Sequence, residues 1–160
     1  IERNKETFEI GKKYFGFQNY HHENKVHFLF EDAKGCVEKM ANFDKNNKTK
    51  KSNEAKYGNK LGFYDLIFNE CNDISPKEDT VPHKEFFDDS FLINVKNLLK
   101  PFGIYTVNLM SKNYSSMYNC YLQLEKHFPS IYNIPSEGGL STIFFCFKTK
   151  VDNEEYKKKC

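Results

Sequence analysis

The sequence predicts an α/β domain with a mostly parallel sheet and an antiparallel hairpin at its C-terminal end. Three observations carry that expectation. Short apolar runs (VHFLF at 26–30, YDLIF at 64–68, IYTVNL at 104–109) alternate with stretches whose apolar residues recur at helical spacing. Such alternation implies strands joined by helices, hence parallel strands with helices on both faces. The last two runs, 131–134 and 142–148, follow one another directly, which suits an antiparallel hairpin on the sheet's edge.

The elements follow in order. Asn4 to Phe15 reads as a helix with Phe8, Gly11 and Phe15 on one stripe, Ile10 and Tyr14 beside it, Asn4 as N-cap and Gly16 as C-terminal stop. Val26 to Phe30 reads as a buried strand, and a second helix carries Cys36, Val37, Met40 and Ala41. Residues 44–60 (DKNNKTKKSNEAKYGNK) have too few apolar groups to offset their ordering entropy and read as a flexible insertion. Tyr64 to Phe68 is a second buried strand, followed by a polar loop through Pro82. Phe91, Leu92, Val95, Leu98 and Leu99 mark a helix that starts near Asp89 or Ser90 and ends at Lys100-Pro101-Phe102-Gly103. Ile104 to Leu109 is a strand. Met117, Tyr121, Leu124 and Phe128 form a helix ending before Pro129, and the two late strands complete a domain over 1–151. Residues 152–160 read as a loose charged tail.

Composition narrows the function. A chain of 160 residues fits one domain, with a core rich in aromatics: 16 Phe and 10 Tyr, without Trp. A net charge of +2 gives no argument for nucleic acid or an acidic membrane as partner. No apolar run approaches the roughly 20 residues needed to span a bilayer. The five cysteines are odd in number and form no CxxC pair, so free thiols in a reducing, cytoplasmic setting are expected and a zinc site is not. His21-His22 with His27 lack the carboxylates of a metal site, and the His21-His22 pair reads as exposed loop residues. Cys71 has no histidine placed in sequence to activate it and reads as a buried structural thiol.

In sheets of this kind ligands bind beyond the carboxyl ends of the strands. The residues there are Glu2, Glu31-Asp32, the run Asn69-Glu70-Cys71-Asn72-Asp73, and Asn108 onward. Acidic groups recur at three of these places. A carboxylate ending the second strand can accept from both ribose hydroxyls of a nucleoside. One after the next strand can accept from an adenine amino group, and a pair after the middle strand can hold or deprotonate an amine. The competing reading is that such residues only cap the helices that follow, as for Asp32 and still more for Glu2 taken alone.

The segment 2–17 (ERNKETFEIGKKYFGF) resembles the one after the second strand in spermidine synthases, and still more that in the methyltransferase-like proteins that modify translation elongation factor. Val26 to Ala33 is similar to the family's strand followed by Asp-Gly, with Ala33 in the glycine's place. Tyr64 to Asp73 is similar to the synthase strand leading into Asp-Ser-Ser-Asp, with Glu70 and Asp73 at the two acidic positions. Ser90 to Leu109, Phe128-Pro129 and Glu137-Gly138 leading into Ile143-Phe144-Phe145-Cys146 resemble the methyltransferase branch.

The resemblance implies a Rossmann-like fold that binds S-adenosylmethionine or its decarboxylated form. It implies a methyltransferase acting on a protein amine, or an aminopropyl transferase acting on a polyamine; a non-catalytic partner domain with a decayed cofactor site is the third reading. Glu2 would bind the cofactor's ribose and Asp32 its adenine edge, with Ala33 alongside. Glu70 would lie near the reactive end and, in a synthase, act with Asp73 on the amine. These families carry a first strand and a Gly-x-Gly loop before the position of Glu2. This chain is therefore expected to be a partial domain with unpaired inner strand edges, inviting a homodimer or another segment to fill the gap.

Overall fold

A computed structural model describes residues 1–15, 29–42, 61–71, 79–137 and 141–152. The insertion at 44–60, the histidines of the 21–27 segment, Asp73 and the tail from 153 lie outside them. The chain divides into two compact units, Ile1–Lys39 and Met40–Cys160.

In the first unit, helix α1 spans Lys5–Phe15. Asn4 caps it as expected, its Oδ1 accepting from the backbone N–H groups of Glu6 at 2.8 Å and Thr7 at 3.4 Å. Gly11 is buried, and Phe8 meets Phe30 edge-to-face at 4.8 Å. Phe15, expected on the packed stripe, is exposed together with Ile10 and Tyr14. Helix α2, Ala33–Ala41, packs Cys36, Val37 and Met40 inward. Of the strand expected at 26–30 only Leu29 and Phe30 are described, and neither is in a strand. The Leu29 carbonyl nevertheless accepts from the Glu2 N–H at 2.9 Å, so these two segments run side by side.

The second unit is built on one sheet. Its strands are β1 (Tyr64–Asn69), β2 (Thr80–Val81), β3 (Leu99–Ser111), β4 (Ser130–Pro135) and β5 (Ser141–Phe147). Their order is β1-β3-β5-β4, with β2 pairing the end of β3. β1 and β3 are parallel, while β5 runs antiparallel to both β3 and β4. The expected C-terminal hairpin is present, with β4 outermost. Helix α3 (Asp89–Leu98) lies between β2 and β3, preceded by a short 3-10 helix at Lys84–Phe87, and α4 (Tyr114–His127) joins β3 to β4.

β3 begins five residues earlier than the sequence suggests. Lys100 to Gly103, expected as a loop, are strand residues. Pairing passes from Tyr64↔Leu99 directly to Leu66↔Ile104, so the extra residues of β3 are accommodated in an irregularity where Pro101, lacking an N–H, is tolerated. Gly103 sits against β1: a Cβ there would lie 2.9 Å from the Tyr64 carbonyl oxygen.

Alternation assigns the faces. Tyr105, Val107 and Leu109 of β3 with Phe144 and Cys146 of β5 form a buried face against Leu92, Val95 and Leu98 of α3 and Cys120, Leu124 and Phe128 from α4 and its end. The opposite face carries Leu66 and Phe68 of β1, Met110 of β3, and Tyr132 and Ile134 of β4, all exposed. β1 is thus not the buried strand its composition suggests: Leu66 is 55% and Phe68 54% exposed. An apolar run reports affinity for cover; α3 and α4 cover one face, while on the other Thr106 at the sheet's centre is buried and the outer residues are exposed.

Candidate functional site

The carboxyl end of β1 is organised by its last residue. Asn69 is buried, and its Nδ2 donates to the Tyr105 hydroxyl on β3 at 2.9 Å. Its Oδ1 accepts from the Cys71 N–H at 3.1 Å, closing an Asx-type turn around Glu70. Tyr105 is fully buried and stacks on Phe128 at 5.9 Å. Burial pushes its phenol far above the ordinary range, with the Asn69 hydrogen bond acting weakly in the other direction, so it remains a neutral hydroxyl. The result is an exposed carboxylate, Glu70, on a turn that Asn69 ties to the core. Cys71 beside it is half-buried rather than the buried thiol expected.

The neighbouring end of β3 is built as tightly. β2 pairs there, Thr80 with Ser111 and Val81 with Met110, and the Lys112 N–H donates to the Asp79 carbonyl at 2.9 Å. Asn113 then caps α4, accepting from the Ser116 N–H at 2.8 Å. Sequence reading took residues through Pro82 as a plain polar loop and missed β2. A two-residue strand leaves no periodic pattern to detect.

In the first unit, Glu2 and Asp32 both occupy segment ends beside the Glu2–Leu29 hydrogen bond. Each carboxylate makes a local contact: Glu2 Oε1 accepts from the Asn4 N–H at 2.7 Å, and Asp32 Oδ2 from the Gly35 N–H at 2.8 Å. Asp32 is therefore an N-cap of α2, as the competing reading has it. One oxygen of each carboxylate stays outside these contacts, and Asp32 is exposed, so the pair retains acceptor capacity of the kind that ribose hydroxyls and an adenine amino group require. Ala33 opens α2 next to them, half-buried. Such acceptors suit the adenosine half of a nucleoside cofactor. Glu70 belongs to the second unit, and Asp73 lies outside the described residues. The sequence names Asn69 only as the start of the run that ends β1 and does not single out Tyr105, although the alternation of IYTVNL places Tyr105 on the inner face.

The chain matches human methyltransferase-like protein 13 in complex with SAH over 99% of its own length and 65% of that chain, at a TM-score of 0.79 and 22% identity. The fold is that of a methyltransferase-like protein. Spermidine synthases share it. One, in complex with the transition state analogue AdoDATO, matches over 98% of this chain and 50% of its own at a TM-score of 0.61 and 16% identity. Another, from Thermotoga maritima, matches over 98% and 49% at 0.56 and 16%. The chain thus spans 65% of the first structure and about half of the others. No protein-family model matches the sequence, and neither does any curated protein. Among the described residues, no helix is long and apolar enough to cross a membrane, and no cluster of His, Cys, Asp and Glu could hold a metal ion.

Proposed function

We propose that the chain is part of an S-adenosylmethionine-dependent methyltransferase acting on a protein amine. The observation that carries this reading is the Asx turn at the end of β1, which holds Glu70 exposed where a sheet of this fold binds its ligand. The likeness to a methyltransferase-like protein solved with SAH supports it. When bound, the cofactor supplies a methyl group activated by its sulfonium. Glu2 and Asp32 accept hydrogen bonds from its adenosine half. Glu70 attracts and orients the acceptor amine and can receive its proton. Positioning and charge complementarity then carry most of the rate enhancement, since methyl transfer needs no covalent protein intermediate.

Aminopropyl transfer from decarboxylated S-adenosylmethionine is the second reading, favoured by the synthase solved with AdoDATO. Titration calorimetry of the protein with each cofactor separates the two. The proposal expects S-adenosylmethionine to bind the more tightly and Glu70→Gln to lower turnover about 100-fold with little change in cofactor affinity. Binding of neither cofactor overturns both readings and leaves a non-catalytic partner domain.

A further inference from the structure

On the helix-covered side of the sheet, a groove of about 340 Å³ separates α4 from the β4–β5 hairpin. Tyr114, Tyr118 and Tyr121 line it from α4, Ile131 and Asn133 from β4, and Phe144 from β5. Its rings form a continuous wall: Tyr118 and Tyr121 lie 6.3 Å apart at 25°, and Tyr121 and Phe144 6.1 Å apart at 34°. The three tyrosines recur at helical spacing on one stripe, and Tyr114 is 80% and Tyr118 60% exposed.

One turn further along that stripe stands Glu125, whose Oε1 accepts from the Tyr121 hydroxyl at 3.0 Å. This contact raises the affinity of the Tyr121 phenol for its proton, as a neighbouring anion must. The basic side chains nearby on α4 are engaged elsewhere, Lys126 with Gln123 and His127 with Asp89. The stripe therefore joins electron-rich ring faces to a carboxylate on which, among the described residues, no cation sits. A planar cation matches both features, since a guanidinium stacks on aromatic faces and pairs with a carboxylate through two parallel hydrogen bonds. An ammonium is a strongly hydrated point charge and uses the wall less well. A neutral apolar ligand would leave Glu125 unused.

We infer that this groove docks an arginine side chain of a partner peptide, stacked on the tyrosine wall and paired with Glu125. The inference needs no cofactor and is independent of the proposed transferase activity. Its test is a titration of the whole protein, carrying ¹³C-labelled tyrosine, with the peptide acetyl-Gly-Arg-Gly-amide, followed by ring resonances. The arginine peptide is expected to shift the Tyr118 and Tyr121 signals saturably. Its citrulline counterpart, which has the same shape without charge, should bind about tenfold more weakly. The lysine counterpart should fall between them. Glu125→Gln should weaken the arginine peptide about tenfold and leave the citrulline peptide unchanged. Tyr118→Leu, which keeps apolar bulk, should weaken it about fivefold, with signals of distant tyrosines confirming an intact fold. Equal affinity for the arginine and citrulline peptides, or indifference to Glu125→Gln, would overturn the assignment.

Discussion

Single residues set the working end of the sheet. The Asn69–Tyr105 hydrogen bond is buried, so deleting one partner leaves the other unsatisfied in a dry site. Tyr105→Phe is expected to cost about 1 to 2 kcal/mol in urea denaturation, because the Asn69 amide loses its acceptor. Its neighbour Thr106 presents the reverse case. The Thr106 hydroxyl is buried without a hydrogen-bond partner among the described residues. Thr106→Val should therefore be neutral or stabilise by up to about 1 kcal/mol in the same experiment. A loss of stability there would show that the hydroxyl is satisfied in solution. The sequence marks Tyr105 and Thr106 only as alternating members of one strand. Which hydroxyl finds a partner depends on Asn69, 36 positions from Tyr105 in the chain.

At the scale of elements, the helices are tied down at their ends. α4 starts on the Asn113 cap and ends with the Lys96 ammonium donating to the His127 carbonyl at 2.6 Å and the His127 ring bonded to Asp89 at 2.8 Å. Asn113→Ala should cost about 1 kcal/mol, a direct reading of the lost cap in thermal or urea unfolding. Gly103→Ala should cost more, because its Cβ would collide with backbone, and β1 would have to move away from β3. A cost below that of the cap deletion would mean that the ladder yields easily. The hydrogen bond between His127 and Asp89 holds the Asp89 carboxyl below its ordinary value of 3.8. Its contribution is thus present above that value and fades as pH falls through the lowered one. The caps at Asn4 and Asn113 differ in how far the sequence revealed them: Asn4 was read directly, whereas α4 was recognised by its apolar stripe and its cap was not.

For the whole molecule, the open face of the sheet is the dominant feature. Leu66, Phe68, Met110, Tyr132 and Ile134 place exposed apolar surface on three strands of one sheet, the kind of surface that associates. We propose that the protein self-associates in solution through this face. Sedimentation velocity is expected to show mass rising with concentration, and Leu66→Lys combined with Phe68→Lys to restore the monomer. A monomer at all concentrations would refute this.

The sequence alone determined the α/β class, the extent of α1, the presence of α2 to α4, the C-terminal hairpin and the acidic residues that end its segments. Periodicity, caps and strand runs are properties of neighbours in the chain, and they are legible there. It did not determine the early start of β3, the short β2, the exposure of β1 or the tyrosine-lined groove. Those depend on which distant segments meet. The Gly103 backbone needs the Tyr64 carbonyl beside it, and β1 is exposed because the helices of its unit lie across the other face. Only the tertiary structure brings such partners together.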